Sequence, residues 1–116
     1  MKLLIVDDEV DLCLLLKGFF IRKGFDVELA YSRSAGMEAL AKNCPNLLFL
    51  DNNLADGLGW PMIPEILKAN PEMKVFLISA YHPPLPPIPA NAYVRVIEKP
   101  ISLAALDSMV SEFVHL

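Results

Sequence analysis

Four places in this chain carry residue types that could together handle a phosphoryl group. Asp7-Asp8 follow the apolar run LLIV, Asp51 follows NLLFL, Ser79 follows KVFLI, and Lys99-Pro100 follow YVRVIE. Brought together, they make a pocket with three carboxylates, one hydroxyl and one ammonium. Carboxylates held close repel one another and resist ionisation at neutral pH unless a cation sits among them. Mg²⁺ suits such a pocket, because it seeks oxygen, keeps several waters and needs only a carboxylate or two plus phosphate oxygens.

The elements that must position these residues follow from the apolar pattern. Strand and helix signals alternate five times, the signature of a parallel α/β sheet. Runs 3–6, 47–50 and 75–78 are apolar throughout, whereas 25–30 (FDVELA) and 93–98 (YVRVIE) mix in charges. Strands buried on both faces read as continuous apolar runs, and edge strands tolerate polar positions. The expectation is a doubly wound, five-stranded parallel sheet of order 2-1-3-4-5, the flavodoxin-like arrangement. Ligands then bind at the carboxyl ends of the strands, at the switch point between the first and third. All four chemical positions lie at that edge.

The first helix is expected over about 9–23, with Leu12, Leu15, Leu16, Phe19 and Phe20 inward and Gly24 ending it. Ser32 reads as the N-cap of the second helix, with Ala35, Met37, Leu40 and Ala41 inward. The third starts near Pro61 or Pro64, buries Ile63, Ile66 and Leu67, and is closed by Pro71. Ser102 caps the last, whose stripe is Leu103, Leu106, Met109, Val110, Phe113 and Val114. The fourth connection breaks the pattern: residues 83–89 read PPLPPIP, five prolines in seven positions, which excludes a helix. Seven residues of polyproline II span about 22 Å, enough to cross a sheet. The fourth helix is therefore expected to be missing, replaced by this proline-rich segment.

A chain of 116 residues is long enough for a real core, and is expected to form one domain, 1–116. With 54% hydrophobic residues, disorder is excluded. A net charge of −4 leaves no electrostatic footprint for nucleic acid or an anionic membrane. Cys13 and Cys44 lack metal-ligand spacing and read as reduced core cysteines, and MKLLIV is too short for a secretory or membrane segment, which points to the cytoplasm. His82 and His115 are isolated and are not read as ligands, and Trp60 reads as a cover over the third helix.

With the residues laid out this way, the chain resembles the receiver domain of response regulators in two-component signalling. The matching pieces are IVDDEVDL, LLFLDNNLADGLGW, LISAY and IEKP. Each is weak alone, but they occur in order and at strand ends. The resemblance implies that Asp51 is the phosphoacceptor, taking a phosphoryl group from a phosphohistidine on a sensor histidine kinase or a histidine phosphotransfer protein. It implies that Asp8 binds Mg²⁺ directly, Asp7 through water, and Asn53 through its backbone carbonyl. Ser79 and Lys99 would contact the phosphoryl oxygens, with Lys99 aimed by a cis bond to Pro100. The output domain or protein is left open. Such a domain is not an enzyme in the usual sense, though it assists its own phosphotransfer and dephosphorylation. Tyr81 is expected to shield the acyl phosphate from water.

Each residue also has a plainer reading. Asp7, Asp8 and Glu9 are favourable charges at a helix N-terminus, Asp56-Gly57 is a turn, Lys99 a solvated lysine and Ser79 a strand-end hydroxyl. The combination favours the phosphoryl reading. There are also departures from the family pattern. Ala55 replaces a common proline and Asn52 an apolar residue, which predicts a less stiff loop after Asp51. Val96 stands where the family has a switching aromatic, and the proline run replaces the fourth helix. These keep open an interaction module that acts independently of phosphorylation. An aspartate-nucleophile phosphohydrolase fits less well, since Glu9 stands where its second aspartate belongs. A flavin-binding flavodoxin also fits less well, since DDEVD would repel phosphate.

Overall fold

The computed structural model describes residues 1–81 and 83–112, so His82, Phe113, Val114 and His115 of the sequence reading lie outside the described residues. Five strands, β1 (Lys2–Val6), β2 (Asp26–Ala30), β3 (Leu47–Asp51), β6 (Lys74–Ser79) and β7 (Val94–Glu98), form one parallel sheet in the order β2-β1-β3-β6-β7. This is the expected 2-1-3-4-5 order. A two-stranded hairpin, β4 (Asn53–Leu54) and β5 (Gly57–Leu58), was not anticipated and sits in the loop after Asp51.

Alternation along the buried strands builds two cores. Leu3, Ile5, Leu47, Phe49, Phe76 and Ile78 pack against α1 (Val10–Arg22) and α4 (Leu103–Ser111). Leu4, Val6, Leu48, Leu50, Val75 and Leu77 pack against α2 (Arg33–Asn43) and α3 (Ile63–Ala69). Runs 3–6, 47–50 and 75–78 of the three central strands are apolar throughout because both faces of the sheet are covered there.

Helix boundaries follow local chemistry. Gly24, at φ 91°, closes α1, its N–H donating to Ile21 O while Phe25 N–H donates to Phe20 O, both at 3.0 Å. Ser32 and Ser102 cap α2 and α4, accepting from Ala35 N and Ala105 N. The inward faces differ in part from expectation. Cys13, not Leu15, completes the buried stripe of α1, and Leu15 is half exposed. In α2 it is Gly36, Ala39 and Leu40 that are buried, while Ala35 and Ala41 face solvent. Cys44 is an exposed left-handed cap at φ 40°, not a core residue.

Among the described residues between β6 and β7 there is no helix. Pro83, Pro86, Ile88 and Ala92 are partly buried, and Ile88 and Ala92 pack with Val94 and Val96 onto the α3 side of the sheet. The segment closes the core that a helix would otherwise cover.

Candidate functional site

Strand register assembles the site. Val6 lies beside Leu50, so the next residues, Asp7 and Asp51, emerge side by side. Asp51 pairs with Ile78 and Ser79 with Glu98, which puts Ser79 and Lys99 at the same edge. Lys99 N–H donates to Ser79 O at 3.0 Å, and the Lys99-Pro100 bond is cis, as expected. Asp7, Asp51 and Ser79 are buried, while Asp8 is exposed.

One carboxylate oxygen from each of Asp7, Asp8 and Asp51 lies within 4.8 Å of the others. Lys99 Nζ sits among the carboxylates, 2.9 Å from Glu9 Oε1, 3.1 Å from Asp7 Oδ2 and 3.7 Å from Asp51 Oδ1. Asp7 Oδ1 accepts from Glu9 N–H at 2.9 Å and from Lys99 at 3.4 Å. Asp7 Oδ2 is buried and, among the described residues, accepts no hydrogen bond, its close neighbour being the ion-paired Lys99 Nζ at 3.1 Å. An unsatisfied, buried carboxylate oxygen beside two further carboxylates is the donor set a hard cation wants.

The electrostatics agree. Burial pushes the Asp51 carboxyl up to about 6, the charge on Asp7 adds to this, and Lys99 opposes it. Burial also raises Asp7, against the Glu9 N–H and Lys99. Burial disfavours the charge on Lys99, but its hydrogen bonds to Glu9 and Asp7 outweigh that and hold the ammonium above the usual range. Burial raises the Cys13 thiol to about 12, with Asp7 contributing, so this residue, whose Sγ sits on Asp7 O at 3.3 Å, is not a nucleophile.

Ser79 Oγ accepts from Tyr81 N–H at 3.1 Å, and the Tyr81 side chain is 75% exposed. Asn53, the first residue of β4 and two residues past Asp51, is exposed. Val96 is half-buried on β7, beside Leu77.

The loop after Asp51 is braced, contrary to the expectation of lower stiffness. Asn52 is polar for a reason: its Oδ1 accepts from Trp60 N–H at 3.1 Å, and its carbonyl accepts from Gly59 N–H at 2.9 Å. Trp60 is buried and donates from Nε1 to Leu50 O at 3.2 Å. Asp56 is more than a turn residue, because it accepts from Arg33 N–H at 2.7 Å and Ser34 N–H at 3.0 Å and so caps α2 from outside. Those two bonds hold its carboxyl below the ordinary range. At Gly59 a Cβ would overlap the Asp51 carbonyl oxygen, so only glycine lets the returning chain pass. The sequence reading missed Glu9 as a site residue. Its signal was chemical: Glu is a poor N-cap type, yet it holds that position in α1.

Comparison with known proteins agrees with this geometry. Residues 3–111 match the response regulator receiver domain family. The response regulator protein PilR of Pseudomonas aeruginosa is 30% identical over 118 residues, covering 99% of this chain and 26% of its own length, so the chain spans about a quarter of that relative. A two-component response regulator from Clostridium difficile superposes with a TM-score of 0.81 at 26% identity, over 97% of this chain and 93% of that one. The receiver domain of NtrX from Brucella abortus gives 0.76 at 30% identity, over 95% of each chain. The chain belongs to the response regulator receiver domain family.

Proposed function

We propose that this chain is the phosphoacceptor of a two-component system, with Asp51 as the residue phosphorylated. The observation that carries the reading is the convergence of Asp7, Asp8, Asp51, Ser79 and Lys99 at one sheet edge, with the buried Asp7 Oδ2 unsatisfied. Asp7, Asp8 and Asp51, with the Asn53 carbonyl, would hold Mg²⁺. Bound there, Mg²⁺ offsets charge on the phosphoryl oxygens.

The chain's own residues do the rest. The ionised Asp51 carboxylate attacks phosphorus, the P–N bond of a phosphohistidine breaks with its electron pair returning to the imidazole, and an acyl phosphate forms. Lys99 stabilises charge on the transferring group, and the Ser79 hydroxyl, which accepts from Tyr81 N–H, donates its own proton to a phosphoryl oxygen. Phosphoryl transfer asks little covalent chemistry of a protein, which fits a pocket made of charges. The donor is a sensor histidine kinase or a histidine phosphotransfer protein. The output is a further domain or protein, consistent with the greater length of PilR. A cytoplasmic location fits, and no described helix is long and apolar enough to cross a membrane.

The second reading, an interaction module independent of phosphorylation, is favoured by Val96 and the helix-less crossover. Intact mass after incubation with acetyl phosphate separates them. The expected result is a Mg²⁺-dependent gain of one phosphoryl group, absent in Asp51→Asn. No gain in the folded, Mg²⁺-binding protein overturns the phosphoacceptor reading.

A further inference from the structure

We propose that Glu9 is a positioning residue that holds Lys99 on the α1 side of the pocket until a phosphoryl group on Asp51 draws it away. The inference rests on the reading of Asp51 as phosphoacceptor and concerns how that site is set at rest.

Three observations carry it. First, the shortest contact of Lys99 Nζ is with Glu9 Oε1 at 2.9 Å, whereas Asp51 Oδ1 is 3.7 Å away. Lys99 leans toward an exposed carboxylate rather than the buried one that receives the phosphoryl group.

Second, Glu9 occupies the N-cap position of α1 but makes no side-chain cap hydrogen bond. At α2 and α4 the corresponding serines do cap, accepting from Ala35 N and Ala105 N. A capping side chain typically contributes about 1 kcal/mol. At α1 the side chain reaches Lys99 instead.

Third, Glu9 grips the same cluster from both ends. Its N–H donates to Asp7 Oδ1 at 2.9 Å while its carboxylate binds Lys99, which in turn contacts Asp7. The backbone anchor fixes where the carboxylate can reach. A phosphoryl group on Asp51 brings more negative charge than Glu9 carries, and it competes for the same ammonium. The Glu9–Lys99 pair then has to break, which raises the threshold for the phosphorylated state.

Beryllofluoride, an acyl phosphate mimic, reads this at equilibrium. Its apparent affinity is measured at saturating Mg²⁺ for the wild type, Glu9→Gln and Glu9→Asp. Glu9→Gln removes the charge, while Glu9→Asp keeps it but is one methylene too short to hold Lys99 in this geometry. Both should bind the mimic about two- to five-fold more tightly, the range expected for loss of one partly exposed ion pair. In a Lys99→Ala background neither change should have an effect.

Tighter binding by Glu9→Gln alone would mean that Glu9 only repels the anion, and would overturn the proposal. So would no change in either variant, or an effect that persists without Lys99. Failure of the wild type to bind the mimic at all would instead sink the phosphoacceptor reading, and this proposal with it.

Discussion

Two connections leave the pocket, and they are held in opposite ways. The loop after Asp51 is clamped: Asn52 holds Trp60 and Gly59, Trp60 holds Leu50, and Asp56 caps α2. The crossover after Ser79 has five prolines, each without an N–H to donate. Its described residues are held by Tyr81 N–H on Ser79 Oγ, by Ala92 N–H on Pro89 O, and by the packing of Pro83, Pro86, Ile88 and Ala92. A phosphoryl group between the two would meet one clamped wall and one whose described residues from Tyr81 to Ala92 make fewer hydrogen bonds. Displacement is then expected on the Ser79 side, where the hydroxyl accepts from Tyr81 N–H and keeps its own proton to donate.

The largest effect should come from breaking the clamp. Gly59→Ala places a Cβ on the Asp51 carbonyl oxygen and close to the Leu50 side chain. A backbone atom at the end of a central strand cannot step aside cheaply, so the cost is about 3 kcal/mol, at the upper end for overpacking. Urea unfolding should show a lower midpoint, and phosphorylation by acetyl phosphate should fall with it. An unchanged midpoint would mean that the clamped loop is no more rigid than the crossover.

A smaller effect concerns the charges the clamp holds in place. Without metal, the folded Asp51 carboxyl sits at about 6 against an ordinary 3.8. A raised folded value means that the native state holds the proton more tightly than the unfolded chain. The associated stability is fully present below the unfolded value and is lost as pH rises through about 6. A rise of this size corresponds to at most about 3 kcal/mol. In EDTA, the wild type should therefore lose stability between pH 4 and 6, a slope reduced in Asp51→Asn. Asp51→Asn should also be the more stable protein at pH 7. Equal slopes in the two proteins would place the load on Asp7 instead.

Much of this was legible in the sequence, and the reasons for what was not are physical. Strand order followed from the contrast between LLFL and VRVIE, because burial on both faces leaves no polar positions. The missing helix followed from proline chemistry. The convergence of Asp7, Asp51, Ser79 and Lys99 followed from strand ends in a parallel sheet. Pairings specified by three-dimensional approach were not legible. Asn52 looked like a departure until Trp60 N–H was seen to need its oxygen, and Asp56 looked local until α2 came to meet it. Leu15 and Cys44 were misplaced because apolar type alone does not decide which face of a helix, or which side of its cap, meets the sheet.

The smallest structural effect tests the other wall. Tyr81 is 75% exposed, so Tyr81→Ala removes little buried area and should shift stability by less than about 0.5 kcal/mol. Its backbone N–H, which survives the substitution, still meets Ser79 Oγ. Any effect must then come from the ring, two residues past Ser79. If the ring limits the approach of water to the acyl phosphate, Tyr81→Ala should dephosphorylate about two- to five-fold faster, equivalent to up to about 1 kcal/mol in the barrier. The rate of phosphoryl loss, followed by intact mass after removal of the donor, reads this directly. An unchanged rate would show that the ring does not cover the pocket, leaving the bond of Tyr81 N–H to Ser79 Oγ as the link between the described crossover residues and the chemistry.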